Sequence, residues 1–215
     1  MTEKVVAEKT VLETAIADFK RSVEITRDVR FQANLRLARR QHGSAYIVSL
    51  LSLYVIGLSL VPNFIKLEAY QSQILLACSI VLSVFVIFTS LIDSAQNFFH
   101  QGELLHQCAR KIATVHHQLK NIDVTADAAA AKEDLEKLQR KYQDALDECP
   151  INHSNVDFYK EISTKPRLFP NQYQSKFLSE FIISLYYRVI YWILSYAWMT
   201  PHVLAAILIS IVVYA

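Results

Sequence analysis

The sequence predicts an all-α membrane protein: a transmembrane helical hairpin continuous with a cytoplasmic helical bundle, plus a C-terminal apolar membrane-associated helix. Three observations predict it. Two apolar runs, Ser44–Ile65 and Gln73–Ile92, stand only seven residues apart and contain no Lys, Arg, Asp, Glu or His. Each is long enough to cross a hydrocarbon core of about 30 Å at about 1.5 Å per helical residue. The polar stretches on both sides of the hairpin carry apolar residues at three- and four-residue spacing, the period of an amphipathic helix. The chain then turns apolar again from Phe177 to Ala215.

Composition agrees. The 215 residues are 53% hydrophobic, and the surplus over a soluble domain sits in the apolar runs. Three Gly and five Pro among 215 residues argue against disorder and against strand-and-turn architecture. A net charge of +2 supplies no broad basic patch for phosphate neutralisation, so nucleic-acid binding has no support. The first residues are charged and show no signal-peptide core. Residues 27–43 carry Arg27, Arg30, Arg36, Arg39 and Arg40 against Asp28 alone, whereas the hairpin loop carries only Lys66 and Glu68. The positive-inside rule then sets the N-terminus in the cytoplasm and the loop outside, with Arg36, Arg39 and Arg40 as the orienting charges. Three cysteines, Cys78, Cys108 and Cys149, make no disulfide framework in a reducing compartment.

Element by element, residues 1–43 form an N-terminal amphipathic cytoplasmic helix whose stripe is Leu12, Ile16, Phe19, Val23, Val29, Ala33 and Leu37. It runs almost directly into the first span, 44–65, with Pro62 near the outer end, where a kink costs least. The second span, 73–92, has no stop signal at its inner end. One helix is therefore expected over about 73–120, half span and half stalk. A break over Asn121–Thr125 leads to a helix over 126–149 with Leu135, Leu138, Tyr142, Ala145 and Cys149 in register, ended by Pro150. Residues 93–149 thus complete a cytoplasmic bundle. Residues 150–176 form a polar loop with three prolines. Residues 177–215 are too short for two full spans and a turn. An aromatic interfacial helix over 178–198 followed by a short span over 199–215 fits them. One span at 178–198 with an apolar tail after Pro201 fits as well.

The first span aligns Ser49, Ser52, Ile56, Ser59 and Asn63 on one face, and the second aligns Ser79, Ser83, Val86, Ser90 and Asp93. Small polar residues at helical spacing let helices pack closely. They also suit the lining of a water-filled pore in an oligomer, with Asp93 favouring cations at its inner mouth. Asn152, His153, Ser154 and Asp157 form the densest polar cluster outside the helices. It reads as a helix cap, as a ligand or partner contact through Asn152, His153 and Asp157, or as a metal or acid–base pair of His153 and Asp157. His100, His106, His116 and His117 lie on the stalk, where solvated histidines are the rule and a pH switch the alternative. No Gly-rich phosphate loop, nucleophile elbow, CxxC or HExxH is present, so no catalytic residue, metal or cofactor is expected.

These residues in this order carry a resemblance. Arg36-Leu37 and Arg39-Arg40 enter a serine-rich span, a short outer loop follows, and the second span ends in Ser90-Leu91-Ile92-Asp93. A long helix with Ala95 to Leu105 and Cys108-Ala109 leads to Asn152-His153-Ser154-x-x-Asp157-Phe158. The chain resembles the SLATT family, two-transmembrane effectors found near SMODS nucleotidyltransferases and SLOG domains in bacterial conflict systems, and looks closest to the branch found beside reverse transcriptases. The resemblance implies a non-enzymatic effector of antiviral defence that oligomerises and permeabilises the bacterial inner membrane. Membrane lipid, further copies of the chain, and a reverse transcriptase or a nucleotide-signal-producing enzyme are the partners implied. The alternative is a non-conducting scaffold whose cytoplasmic helices recruit a soluble partner.

Overall fold

The computed structural model describes residues 2–124, 127–174 and 180–214. The expected helix break at Thr125, the helix start at Ala126, the end of the polar loop, the start of the apolar tail at Phe177, and the two terminal residues lie outside the described residues. The protein is all-α, 89% helical, with no strand among the described residues. Among the described residues seven α-helices follow in order: α1 Thr2–Phe64, α2 Ala69–Gln96, α3 Phe98–Leu119, α4 Ala128–Asp147, α5 Asn155–Thr164, α6 Glu180–Tyr196 and α7 Thr200–Tyr214. Short 3₁₀ turns at Pro166–Leu168, Pro170–Tyr173 and Ala197–Met199 join the later ones. Among the described residues three helical stretches are long and apolar enough to cross a membrane: Lys9–Phe64, Ala69–Leu119 and Glu180–Ile207.

The single helix expected over 73–120 is divided. Asn97 takes a left-handed conformation, φ 47° and ψ 50°, between α2 and α3. Asn tolerates this region better than other residues with a Cβ, because its short amide bonds locally. The apolar period passes through the break unaltered, which is why periodicity alone does not reveal it.

The chain forms two compact units. The bundle unit holds residues 1–36 and 100–192, and the membrane unit holds residues 37–99 and 193–215. In the bundle unit, α1, α3 and α4 bury Val23, Cys108, Ile112, Val115, Leu119, Leu135, Leu138 and Ala145 in one core. Each large apolar side chain fully removed from water there contributes about 1.5–3 kcal/mol. Phe19 meets Tyr142 edge to face at 5.5 Å, and the Tyr142 hydroxyl donates to Thr26 Oγ1 at 2.9 Å. Asp127 caps α4 by accepting from the amides of Ala129 and Ala130. The part of α6 in this unit packs on α5: Ser184 Oγ donates to the Ser163 carbonyl at 2.7 Å, and the Tyr187 ring stacks on Tyr159.

In the membrane unit, α1 and α2 form the hairpin around Leu51, Leu58, Leu75 and Leu82, with Ala205 and Ala206 of α7 packed against them. Tyr54 and Ser210 hydroxyls lie 3.3 Å apart, a further link between α1 and α7. The hairpin turn is closed by the Glu68 amide donating to Gln71 Oε1. Outward of this core stand Leu50, Leu53, Ile80, Val84, Ile87 and Leu91, all well exposed. Such a display suits lipid and not water.

Candidate functional sites in the bundle and the hairpin

Within the bundle unit, α5 is clasped to α1 along its whole length. Pro150 stops α4 from continuing, and Ser154 then starts α5 as its N-cap. Asp157 sits three residues on, and its carboxylate accepts the Ser154 amide at 3.1 Å. This reciprocal cap satisfies donors that the first helical turn leaves free. The same carboxylate takes both arms of Arg36, Nε to Oδ1 at 2.7 Å and Nη2 to Oδ2 at 3.0 Å. Asp157 is fully buried, so the fork of Arg36 supplies the charge and the planar geometry its carboxylate needs.

Two more rungs follow. Asp28 accepts Arg27 Nε at 2.8 Å and also accepts Lys165 Nζ. Arg21 Nε donates to the Leu168 carbonyl at 2.8 Å. Rungs at 36 with 157, 28 with 165 and 21 with 168 run in opposite chain directions, so α5 and its 3₁₀ extension lie antiparallel to α1. Glu161 faces the same seam, 3.7 Å from Lys165. Burial pushes the Glu161 carboxyl up, and Lys165 pulls it the other way.

His153 and Asp157 do not form an acid–base pair. Both carboxylate oxygens of Asp157 are committed to Arg36 and one also to the cap, and neither reaches solvent. His153 instead stacks on Phe158, with its Nδ1 buried and without a hydrogen-bond partner. Burial, then the charge of Arg30, lowers its pKa from the ordinary histidine value. Asn152 is exposed and accepts the His153 amide at 2.9 Å. On the stalk, His106 meets the Phe31 ring, and His116 is buried with Arg27 Nη1 at 2.7 Å from its Nδ1. Burial and the Arg27 charge lower the His116 pKa. Among the described residues, no three His, Cys, Asp or Glu side chains gather as a metal site would require.

In the membrane unit the two polar stripes differ. Ser79 of α2 is buried in the hairpin, Ser83 and Asp93 are half-buried, and Ser90 is exposed. On α1, Ser49, Ser59 and Asn63 are exposed and Ser52 is half-buried. Ser49, Ser52, Ser59 and Ser83 each donate to the carbonyl four residues earlier, and Ser79 to the carbonyl of Leu76. Asp93 accepts the hydroxyl of buried Ser44. Arg40 lies over the Phe98 ring, 4.1 Å from its centroid, and faces Trp198. Of the three arginines expected to set the orientation, Arg36 belongs to the bundle clasp, Arg40 to this aromatic cluster, and Arg39 is exposed.

The cap at Ser154 and Asp157 has a sequence signal, a Ser followed three residues later by an acid just after Pro150. The partners Arg36, Asp28 and Lys165 have none, because they lie 121 and 137 residues from the groups they bind.

An apolar hairpin and a clasped helical bundle define the class: an all-α membrane protein, with its distinctive polar residues spent on structure. The model of the SMODS and SLOG-associating 2TM effector domain family 5 matches residues 12–208, and the chain belongs to that family. It is a two-transmembrane effector of antiviral defence. The match runs through α6 and into α7, so the third apolar stretch is part of the family domain. No curated protein and no solved structure matches the chain.

Proposed function

We propose that the protein is a homo-oligomeric effector that forms or gates a pore in the bacterial inner membrane. The bundle faces the cytoplasm, and the protein acts without enzymatic chemistry. One observation carries the reading: Ser49, Ser59 and Asn63 of the α1 stripe are exposed, with Ser52 half-buried, while Ser79 of the α2 stripe is buried in the hairpin. The inward stripe then serves packing, and the outward one lines the lumen between copies. The cytoplasmic bundle receives the trigger, a nucleotide, a nucleic-acid product or a partner such as a reverse transcriptase. Any such trigger shifts gating only by binding the two states unequally.

A second reading has support of its own. Every α1 stripe serine bonds its own helix, so the helix can face lipid with no polar debt, as a plain anchor for a recruiting scaffold requires. Dye leakage from liposomes separates the two. Ser49, Ser52 and Ser59 changed together to Leu should abolish leakage while the detergent oligomer persists. Leakage that survives this change, or a wild-type chain that stays monomeric and tight with every trigger class, would sink the pore.

A further inference from the structure

The clasp and the stripes leave one chemically active group of the bundle unit without a role. Cys108 of α3 is 4% exposed, and its thiol donates to the Ala145 carbonyl of α4 at 3.4 Å. One turn after Ala145 the chain reaches Cys149, half-buried, whose thiol donates to the Ile151 carbonyl at 3.2 Å. Both cysteines line a small recess of about 40 Å³ beside Lys111 and Glu148, which pair across its mouth. Behind Cys108 lies Arg30, 5% exposed, with Nη1 on the Cys108 sulfur and Nε without a hydrogen-bond partner. A buried guanidinium normally faces a carboxylate. Here it faces a thiol, and it favours that sulfur whenever it carries negative charge.

We propose that Cys108 and Cys149 are a reversible redox site, at which a peroxide-class oxidant closes a disulfide that ties α3 to the end of α4. Cys149 is the thiol that solvent reaches. Its thiolate attacks one peroxide oxygen, the O–O bond breaks, and the departing hydroxide takes a proton as water, leaving a sulfenic acid. The Cys108 sulfur then attacks the Cys149 sulfur, the S–O bond breaks, and hydroxide leaves with the Cys108 proton as a second water. Two thiols are oxidised by two electrons, and one peroxide is reduced to two waters. Burial, then the neighbouring Cys149, pushes Cys108 up to about 11 while Arg30 pulls it down. The resting site therefore stays a dithiol in a reducing compartment and closes only under oxidative load, as transient cytosolic disulfides do.

The test uses the full chain, reduced and purified in detergent micelles, treated with hydrogen peroxide, alkylated and mapped by mass spectrometry. The expected product is one chain lacking two hydrogens, with the Cys108 and Cys149 peptides linked and released by dithiothreitol. Cys78→Ser should retain the link, because that thiol lies in the membrane unit. Cys149→Ser should lose it and leave Cys108 alkylatable after denaturation. Arg30→Gln should slow closure about tenfold, because the attacking Cys108 sulfur loses the cation that favours its thiolate. If circular dichroism shows that variant unfolded, the wild-type map and Cys149→Ser decide alone. Sulfinic acid at Cys149 beside a free Cys108, or a link found only between copies, overturns the proposal.

Discussion

Replacing Arg36 with Met removes the cation from the Asp157 carboxylate and keeps most of the stem. Asp157 is fully buried, while the Arg36 side chain keeps 17% of its exposure. Breaking a buried ion pair by removing one partner costs about 3–5 kcal/mol, and the partial exposure of Arg36 favours the lower end, about 3 kcal/mol. At about 1.4 kcal/mol per factor of ten, amides of α5 should exchange roughly 150-fold faster. Native-state hydrogen exchange over residues 158–161 reads this directly, with α4 amides as the internal reference. Asp157→Asn keeps an acceptor for the Ser154 amide but strands Arg36, so it should also loosen α5. The double variant should cost less than the sum of the singles, because neither stranded charge remains. Exchange in α5 within threefold of the wild type, or strict additivity in the double variant, would refute the clasp.

The bundle should lose stability in acid. His116 and His153 both have lowered pKa values in the folded state. The unfolded chain therefore binds more protons as pH falls below about 6.5, and stability present above that value is lost down to the lowered folded values. The thermal midpoint in detergent should be lower at pH 5.5 than at pH 7.5, and His116→Gln with His153→Gln should narrow the gap. An unchanged gap removes the histidines as its cause. Glu161, raised by burial, works the other way, so Glu161→Gln should stabilise more at neutral pH than in acid. Asn97→Val forces a β-branched residue into the left-handed region at a cost of about 1–2 kcal/mol, whereas Asn97→Gly should be neutral or mildly stabilising. The midpoint of the Val variant should fall by about 2–8 °C, and no fall would mean that α2 and α3 join without the left-handed residue. A Cβ at Gly57 meets no atom within 4 Å in the chain, so Gly57→Leu should leave monomer stability intact. For the proposed oligomer, loss of assembly with that change, by size exclusion with light scattering, places Gly57 between copies. Retention places it toward lipid.

Much of this architecture is legible in the residues because the signals are local. The hairpin follows from two uncharged runs, and the start of α5 from Pro150, Ser154 and Asp157. What the sequence hides is of two kinds. Asn97 breaks the helix without disturbing the apolar period, since a single left-handed residue leaves no compositional mark. The partners of Asp157, Asp28 and Cys108 come from α1 and from α5 or its flank, and no spacing rule links them. Arg36 shows the consequence most clearly. Counted along the chain it is one orienting charge among three, yet in the fold it is the counter-ion of a buried carboxylate. The two serine stripes look alike as spacings, and only the burial of Ser79 against the exposure of Ser49 and Ser59 separates them.

The separation of Arg36 from Asp157 by 121 residues also orders events during synthesis. A ribosome adds about 5–20 residues per second, so Arg36 waits about 6–24 s for its carboxylate after it is made. Within that interval the whole hairpin is made. The apolar runs are therefore made, and available to the membrane, while the clasp has only one jaw and the bundle cannot yet close. A translational pause between Pro150 and Asp157 would lengthen that one-jawed state, and a pause before Arg36 would not.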